Sequence, residues 1–119
     1  MTDSKKSSHL LSGAHAEQLA CELLTKNGFI ITSKNYRYGR YEVDIIACKE
    51  DLLVFAEVKK RKNDTYGNPE EFVDAAKRAR MLVVAEHYIH EKNWQGKIRF
   101  DIIAFTGNED PVWFEDVIS

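Results

Sequence analysis

The chain has little proline, glycine and cysteine, and it has no long hydrophobic run. Two Pro and six Gly among 119 residues exclude a collagen-like or low-complexity protein, while 44% hydrophobic and 30% charged residues are typical of a folded globular domain. Apolar stretches such as residues 81–85 and 102–105 are far shorter than the roughly 20 residues of a membrane-spanning helix. We therefore expect a folded chain that does not cross a membrane.

The N-terminus and the two cysteines carry few signals. Residues 1–8 are polar and lack the apolar centre of a signal peptide, so we expect a flexible tail and a cytoplasmic protein. A single domain is expected over residues 9–119, because a domain usually comprises about 100–200 residues. Cys21 and Cys48 are far apart and neither belongs to a C-x-x-C pair, which favours reduced thiols over a disulfide or a zinc site.

Positive charge is concentrated in one part of the chain. The net charge is -2, yet eleven of the seventeen Lys and Arg residues fall between Lys34 and Arg80, against nine acidic residues in the same stretch. The C-terminal end, in contrast, contains Glu109, Asp110 and further acids. A basic face that contacts nucleic acid can therefore coexist with a slightly acidic whole.

Apolar spacing and turn residues predict the order helix, three strands, helix, two strands. The first helix begins after Ser12 as N-cap and ends at Asn27-Gly28. After a loop over residues 60–68, the second helix begins with Asn68 as N-cap and Pro69 at its first position, and it ends near Lys92. The predicted strands are residues 29–38, 42–48, 52–59, 97–105 and 112–118. This order predicts an α/β fold with a mixed central β-sheet of about five strands flanked by helices.

Asp44, Glu57 and Lys59 form a candidate site on the hairpin of the second and third predicted strands. Side chains alternate along a strand, so Glu57 and Lys59 share a face. The strands are joined at Glu50-Asp51. If the turn has two residues, Asp44 lies directly across from Glu57. A three-residue turn would instead move Asp44 to the opposite face, so the site depends on the register.

The pair of acids, Asp44 and Glu57, would repel each other unless a cation lies between them. Mg²⁺ or Mn²⁺ takes carboxylate, water and phosphate oxygens as ligands, so both acids are predicted metal ligands. Lys59 could orient an attacking water or neutralise charge on a phosphate in the transition state. The alternative is an ordinary exposed Glu57–Lys59 ion pair with a solvent-facing Asp44.

Glu17 and a set of basic residues could complete such a site. Glu17 projects from a helix face of small or apolar residues, which makes it a candidate catalytic carboxylate and metal ligand; favourable placement in the first helical turns is the alternative. The candidate phosphate contacts are Arg37, Arg40, Lys60, Arg61, Lys62 and Lys77. Such a charge run is also typical of an ordinary solvated surface. His87 and His90 have no third ligand nearby in sequence, and we assign them no metal.

The order of the acidic motifs resembles the restriction-endonuclease-like superfamily. The metal motif of that superfamily is an Asp followed by Glu-x-Lys, which Asp44 and Glu57-Val58-Lys59 match here. More closely, the chain is similar from about Gly13 onward to the YraN family of bacterial proteins. The matching segments are residues 13–17, 35–37, 42–44, 55–59, Arg61, Lys77 and 99–101.

This resemblance implies a fold like that of archaeal Holliday-junction resolvases, in which a Glu on a helix joins the Asp and Glu-x-Lys at the metal. Glu17 is the matching position. The resemblance implies a Mg²⁺- or Mn²⁺-dependent endonuclease acting on DNA, with branched or damaged DNA as candidate substrates, and it is compatible with a homodimer. A non-catalytic nucleic-acid-binding module and a partner-binding adaptor stay open, because a fold does not guarantee its chemistry.

Overall fold

Two helices and five strands follow one another in the predicted order. The computed structural model describes residues 12–61, 73–106 and 110–118, with the backbone alone of Arg61. The helices are α1 (Gly13–Lys26) and α2 (Ala75–Lys92), and the strands are β1 (Ile30–Tyr38), β2 (Tyr41–Lys49), β3 (Leu52–Arg61), β4 (Lys97–Thr106) and β5 (Val112–Phe114). The predicted α/β class and order are therefore confirmed. The predicted N-terminal tail, Lys62 and the expected start of the second helix at Asn68 and Pro69 lie outside the described residues.

The strands form one mixed sheet in the order β1-β2-β3-β4-β5. The pairs β1/β2 and β2/β3 are antiparallel and joined by tight turns, whereas β3 and β4 are parallel. Parallel neighbours need a long crossover, which here contains α2. The short strand β5 then pairs with β4 in antiparallel fashion. The central strand β3 is therefore hydrogen-bonded to β2 on one side and to β4 on the other. This pairing fixes the positions of the residues near its C-terminal end.

The ends of α1 follow from its capping residues. The Ser12 side chain accepts a hydrogen bond of 3.0 Å from the backbone N–H of His15, which satisfies one of the orphan donors of the first turn. After Asn27, Gly28 takes a positive φ of 92°, a conformation that glycine adopts at little cost. Both predicted ends of this helix are confirmed.

The start of the second helix was predicted too early. Val73 and Asp74 are not helical, and Asp74 is itself the N-cap, since its extended backbone lets the carboxylate accept from the N–H of Lys77 at 2.8 Å. The prediction of a continuous helix from Pro69 to Lys92 is therefore wrong, because residues 73 and 74 are not helical and the helix begins only after the Asp74 cap. Two smaller boundaries also differ: Lys60 and Arg61 continue β3 instead of opening a loop, and β5 ends at Phe114.

The sheet is covered by one helix on each face. The cluster on the α1 side contains Ala16, Ala20, Leu24, Phe29, Ile45, Ala47, Val54, Ala56, Ile103 and Phe105. The cluster on the α2 side contains Val43, Ile46, Leu53, Phe55, Met81, Val84, Ala85, Tyr88, Phe100 and Ile118. Alternation along β3 therefore places Phe55 and Glu57 on the side of α2 and Ala56 on the side of α1. Within the described ranges, no helix is long and apolar enough to cross a membrane.

Candidate metal and nucleic-acid site

The β2–β3 hairpin has the register that brings Asp44 towards Glu57. Its five ladder pairs extend from Lys49–Leu52 to Ile45–Ala56, and the turn contains only Glu50 and Asp51. Glu50 accommodates the tight turn with a positive φ of 57°. The two-residue turn is thus confirmed, and Asp44 and Glu57 are the next residues beyond the last described ladder pair.

Asp44 is a partly buried carboxylate among other acids. Its Oδ2 accepts a hydrogen bond of 2.8 Å from the backbone N–H of Val58, on the neighbouring strand. Burial raises the pKa of Asp44 to about 6, and although the Val58 bond opposes this shift, the nearby negative charges of Glu57, Glu17 and Glu42 add to it. The side chain is therefore held in an environment that is short of positive charge.

Glu57 faces two lysines on the α2 side of the sheet. Its Oε2 lies 2.6 Å from Nζ of Lys77 and 3.9 Å from Nζ of Lys59, and only 14% of the Glu57 side chain is exposed. The Lys77 contact is a short charge-assisted hydrogen bond from the first turn of α2. The Asp74 cap orients that turn, so the start of α2 positions a cation directly over Glu57.

Lys59 has an altered pKa because of this crowding. Burial lowers the pKa of Lys59, and the neighbouring charge of Lys77 lowers it further, while Glu57 acts in the opposite direction. A lysine with a lowered pKa gives up a proton more readily than an exposed one. Lys59 is thus suited either to handle a proton or to donate hydrogen bonds to an anion.

Glu17 approaches Asp44 from the opposite helix. Both of its carboxylate oxygens lie 3.2 Å from Nδ2 of Asn35, and the same amide donates to Oε2 of Glu42 at 3.0 Å. Asn35 has a positive φ of 52°, a left-handed conformation that asparagine tolerates better than most residues. This local turn of the backbone lets one amide hold two carboxylates beside Asp44.

The predicted basic contacts occupy different places. Arg37 forms an ion pair of 3.3 Å with Glu42 and keeps 68% of its side chain exposed, while Arg40 is exposed in the β1–β2 turn. Lys60 is exposed near the end of β3. Lys77, in contrast, lies inside the site against Glu57. These basic residues therefore lie at the end of the sheet where β3 ends, the same end that carries Asp44 and Glu57.

The donor set fits a hard divalent cation in chemistry. Asp44 and Glu57 offer carboxylate oxygens, which Mg²⁺ and Mn²⁺ prefer. Burial first, and the neighbouring acids in addition, raise the pKa of Asp44, and a cation beside its carboxylate would relieve both effects. The arrangement is not that of a preformed cage. Over residues 12–61, 73–106 and 110–118, no three His, Cys, Asp or Glu side chains are grouped closely enough to hold a metal ion. The ammonium of Lys77 compensates the charge of Glu57 instead.

Sequence reasoning missed three of these contacts. The Asn35 amide donates to Glu17 and to Glu42, and Lys77 donates to Glu57. Each of these three contacts joins residues of different elements, so local spacing does not reveal them. The signals that existed were weak. Asn35 belongs to a matched segment of the YraN resemblance, and Lys77 was predicted as a phosphate contact and not as a partner of Glu57.

A solved structure has a similar fold. The structure of Hjc from Archaeoglobus fulgidus, a Holliday junction resolvase from an archaeal hyperthermophile, aligns with a TM-score of 0.60, covering 87% of this chain and 76% of that protein. The sequences are only 17% identical over the match, so this likeness shows the fold alone. The resolvase-like, mixed-sheet fold predicted from the motifs is thereby confirmed.

Sequence relatives match almost the whole chain. A UPF0102 protein of Cytophaga hutchinsonii is 47% identical over 109 residues, which is 92% of this chain and 96% of the relative. UPF0102 proteins of Clostridium perfringens and Dictyoglomus thermophilum are 36% and 47% identical, covering 87% and 77% of this chain and 85% and 79% of those relatives. The model of Uncharacterised protein family UPF0102 matches residues 16–105. The chain therefore belongs to family UPF0102, the family that the YraN resemblance predicted.

Proposed function

We propose that this protein is a divalent-metal-dependent endonuclease that hydrolyses phosphodiester bonds in DNA. The observation that carries the proposal is the carboxylate pair Asp44 and Glu57, held next to each other by the hairpin register, with Lys59 two residues beyond Glu57 on the same face. Negative oxygen ligands next to a lysine of lowered pKa suit the hydrolysis of a phosphate ester.

The residues have separate roles in this proposal. Asp44 and Glu57 hold Mg²⁺ or Mn²⁺, with Glu17 as an additional carboxylate on the opposite side of Asp44. When bound, the metal ion supplies Lewis-acid polarisation of the phosphate. Lys59 orients the attacking water and donates to the phosphate oxygens as their negative charge grows. Hydrolysis forms one new P–O bond from water and breaks the P–O bond to the leaving sugar oxygen, which takes up a proton.

DNA with a branched or damaged structure is the proposed substrate. The support is twofold: the fold is similar to that of an enzyme described as a Holliday junction resolvase, and exposed basic residues lie at the same end of the sheet as the carboxylates. The exposed Arg37 and Arg40 and the end of β3 would contact the phosphate backbone. A homodimer, with one site for each strand of a junction, is part of the same proposal.

The test is cleavage of linear, flapped and four-way DNA in Mg²⁺ or Mn²⁺. Asp44→Asn, Glu57→Gln and Lys59→Met should each lower the cleavage rate by roughly 100-fold or more, since each removes a metal ligand or a group that stabilises charge in the transition state. Glu86→Gln is the matched control, because this exposed acid on α2 undergoes the same carboxylate-to-amide change. Equal cleavage by all four variants would refute the assignment.

A non-catalytic DNA-binding module is the second candidate. The observation that favours it is the Lys77 ammonium 2.6 Å from Glu57, which already neutralises the acid without a metal ion. A protein of this kind would bind branched DNA equally well in Mg²⁺ and in EDTA, and it would leave every substrate uncut.

A further inference from the structure

Tyr38 and His87 form an exposed aromatic stack beside the β1–β2 turn. Their ring centroids are 4.0 Å apart with an interplanar angle of 20°, so the two rings lie face to face. Tyr38 retains 42% of its surface and the His87 side chain 38%. One face of the tyrosine ring is thus supported by a second ring, while a large part of the residue is open to solvent.

The hairpin has a second contact with α2 besides this stack. The hairpin is already attached to α2 by the half-buried Tyr36, whose hydroxyl donates to Glu91 at 2.7 Å. The Tyr36 ring also packs edge-on against Tyr88 at 5.0 Å, within the cluster on the α2 side. The hairpin therefore does not depend on Tyr38 alone for its contact with α2, and part of the Tyr38 ring is open to a further partner.

The chemistry around the stack is suited to a nucleic-acid strand. Arg40 follows Tyr38 in the β1–β2 turn and is exposed, whereas Arg37 lies on the opposite face of β1 in an ion pair with Glu42. An aromatic ring next to positively charged side chains is the usual arrangement for single-stranded nucleic acid, where the base stacks on the ring and the phosphates face the cations. An aromatic platform of this kind accepts any base, since every base has a π face.

The stack also lies on the side of the sheet that carries Glu57. Tyr38 contacts α2 through His87, and Glu57 contacts the same helix through Lys77. Ten residues of helix separate Lys77 from His87, which is about 15 Å. Each strand of a duplex has one phosphate per about 3.4 Å of helix axis, so a strand spans this distance within roughly four to five nucleotides, and an extended unpaired strand needs fewer.

We propose that the Tyr38–His87 stack binds an unpaired base of the DNA substrate a few nucleotides from the bond that is cut. This inference rests on the proposed function, because it assigns to that site a DNA class with unpaired bases: gaps, flaps and open junctions. Fully paired duplex has no free base for the platform, since its bases are stacked on one another. The stack thereby selects between DNA structures and not between sequences.

The test measures stacking without cleavage. The full-length protein is mixed in EDTA with DNA that carries 2-aminopurine in a short single-stranded gap, and with a fully paired duplex of the same sequence. Wild type should quench the fluorescence of the gapped DNA and bind it more tightly than the duplex. Tyr38→Leu should lose the quenching and bind gapped DNA about 5- to 100-fold more weakly, the usual cost of removing one stacking partner.

Tyr38→Phe is the matched control, because it keeps the ring and should keep both effects. Equal quenching by Tyr38→Leu and wild type would overturn the proposal. Should Tyr38→Leu fail to fold, ultraviolet cross-linking of wild type to gapped DNA containing 5-iodouracil gives an independent answer: a cross-link to Tyr38 supports the platform, and cross-links only elsewhere refute it. EDTA removes divalent metal ions, so this test does not depend on cleavage. A protein without nuclease activity can still show the quenching, and an active nuclease can lack it.

Discussion

Asp101 and Asp44 are strand residues whose carboxylates are at least partly buried, but the groups around the two carboxylates differ. Asp101 is completely buried and accepts two hydrogen bonds of 2.9 Å from Arg99, one of 2.8 Å from Trp113 and one of 3.0 Å from the backbone of Asp116. Asp44 accepts a single hydrogen bond within the described part of the chain and is surrounded by acids.

The comparison separates a structural acid from a chemical one. A buried carboxylate with a bidentate arginine and two further donors is fully satisfied, and it ties β4 to β5 and to the segment that follows. A carboxylate whose neighbours are mostly negative keeps an unfavourable charge that an added cation would relieve. The incomplete environment, and not burial itself, marks Asp44 as the candidate for function.

Replacing the structural acid should have the largest effect on stability. Asp101→Asn leaves Arg99 facing an amide and should lower the free energy of unfolding by about 3 kcal/mol, as expected when one partner of a buried ion pair is removed. Urea unfolding followed by circular dichroism measures the change. The control is Glu115→Gln, since the exposed Glu115 lies 3.5 Å from the same arginine and should matter by less than about 1 kcal/mol. Equal losses in both variants would contradict the comparison.

Replacing the chemical acid should stabilise the protein at neutral pH. The pKa of Asp44 is raised from 3.8 to about 6, so the unfolded chain releases this proton at lower pH than the folded protein does. The folded state therefore loses stability as the pH rises from about 4 to 6, and the whole penalty is present above pH 6. Without added metal, Asp44→Asn should raise the free energy of unfolding at pH 7.5 by about 1–2 kcal/mol, after allowance for solvent screening.

Urea unfolding at pH 3.5 and pH 7.5 in EDTA checks this sign. The advantage of Asp44→Asn should nearly vanish at the lower pH, where the folded protein and most of the unfolded chains carry the proton. Asn can still accept the hydrogen bond from Val58, so the backbone contact is preserved in the variant. A variant that is less stable than wild type at pH 7.5 would mean that Asp44 is a satisfied structural acid like Asp101.

Lys77 offers a smaller test of the same contrast. In the proposed metal site its ammonium would compete with a divalent cation for Glu57. Lys77→Met should therefore raise the affinity for Mn²⁺ by roughly 5-fold or more, the weakest effect expected for charges about 4 Å apart. Electron paramagnetic resonance of bound Mn²⁺ measures the affinity directly. Arg80→Met removes one positive charge from an exposed position of the same helix and should change little. Equal affinities in the two variants would show that the Lys77 contact does not oppose metal binding.

Local sequence patterns predicted most of the fold because their physical causes are local. Ser12 and Gly28 mark the ends of α1 through capping and backbone freedom, and the two-residue turn at Glu50-Asp51 sets the hairpin register. The error at the second helix has a local cause as well. Asp74 is the N-cap of α2, and the local sequence did not single it out because Asn68, six residues earlier, has an equally good capping side chain.

The candidate site was only partly predictable. Asp44, Glu57 and Lys59 follow from strand alternation and a short turn, which act over a few residues. The amide of Asn35 that holds Glu17, and the lysine on α2 that reaches Glu57, come from elements that meet only after the sheet and helices have packed. Residue spacing along the chain contains no information about contacts between elements that are distant in sequence.

The sequence by itself determined which residues could form the site, namely the acids and lysines of the β2–β3 hairpin and their order along the strands. The tertiary structure alone decided their electrostatic state. Burial beside three other acids raises the pKa of Asp44, whereas a bidentate arginine and an indole satisfy Asp101. The reason is that the energy of a charge depends on the water removed around it and on the charges brought near it, and both are set by packing.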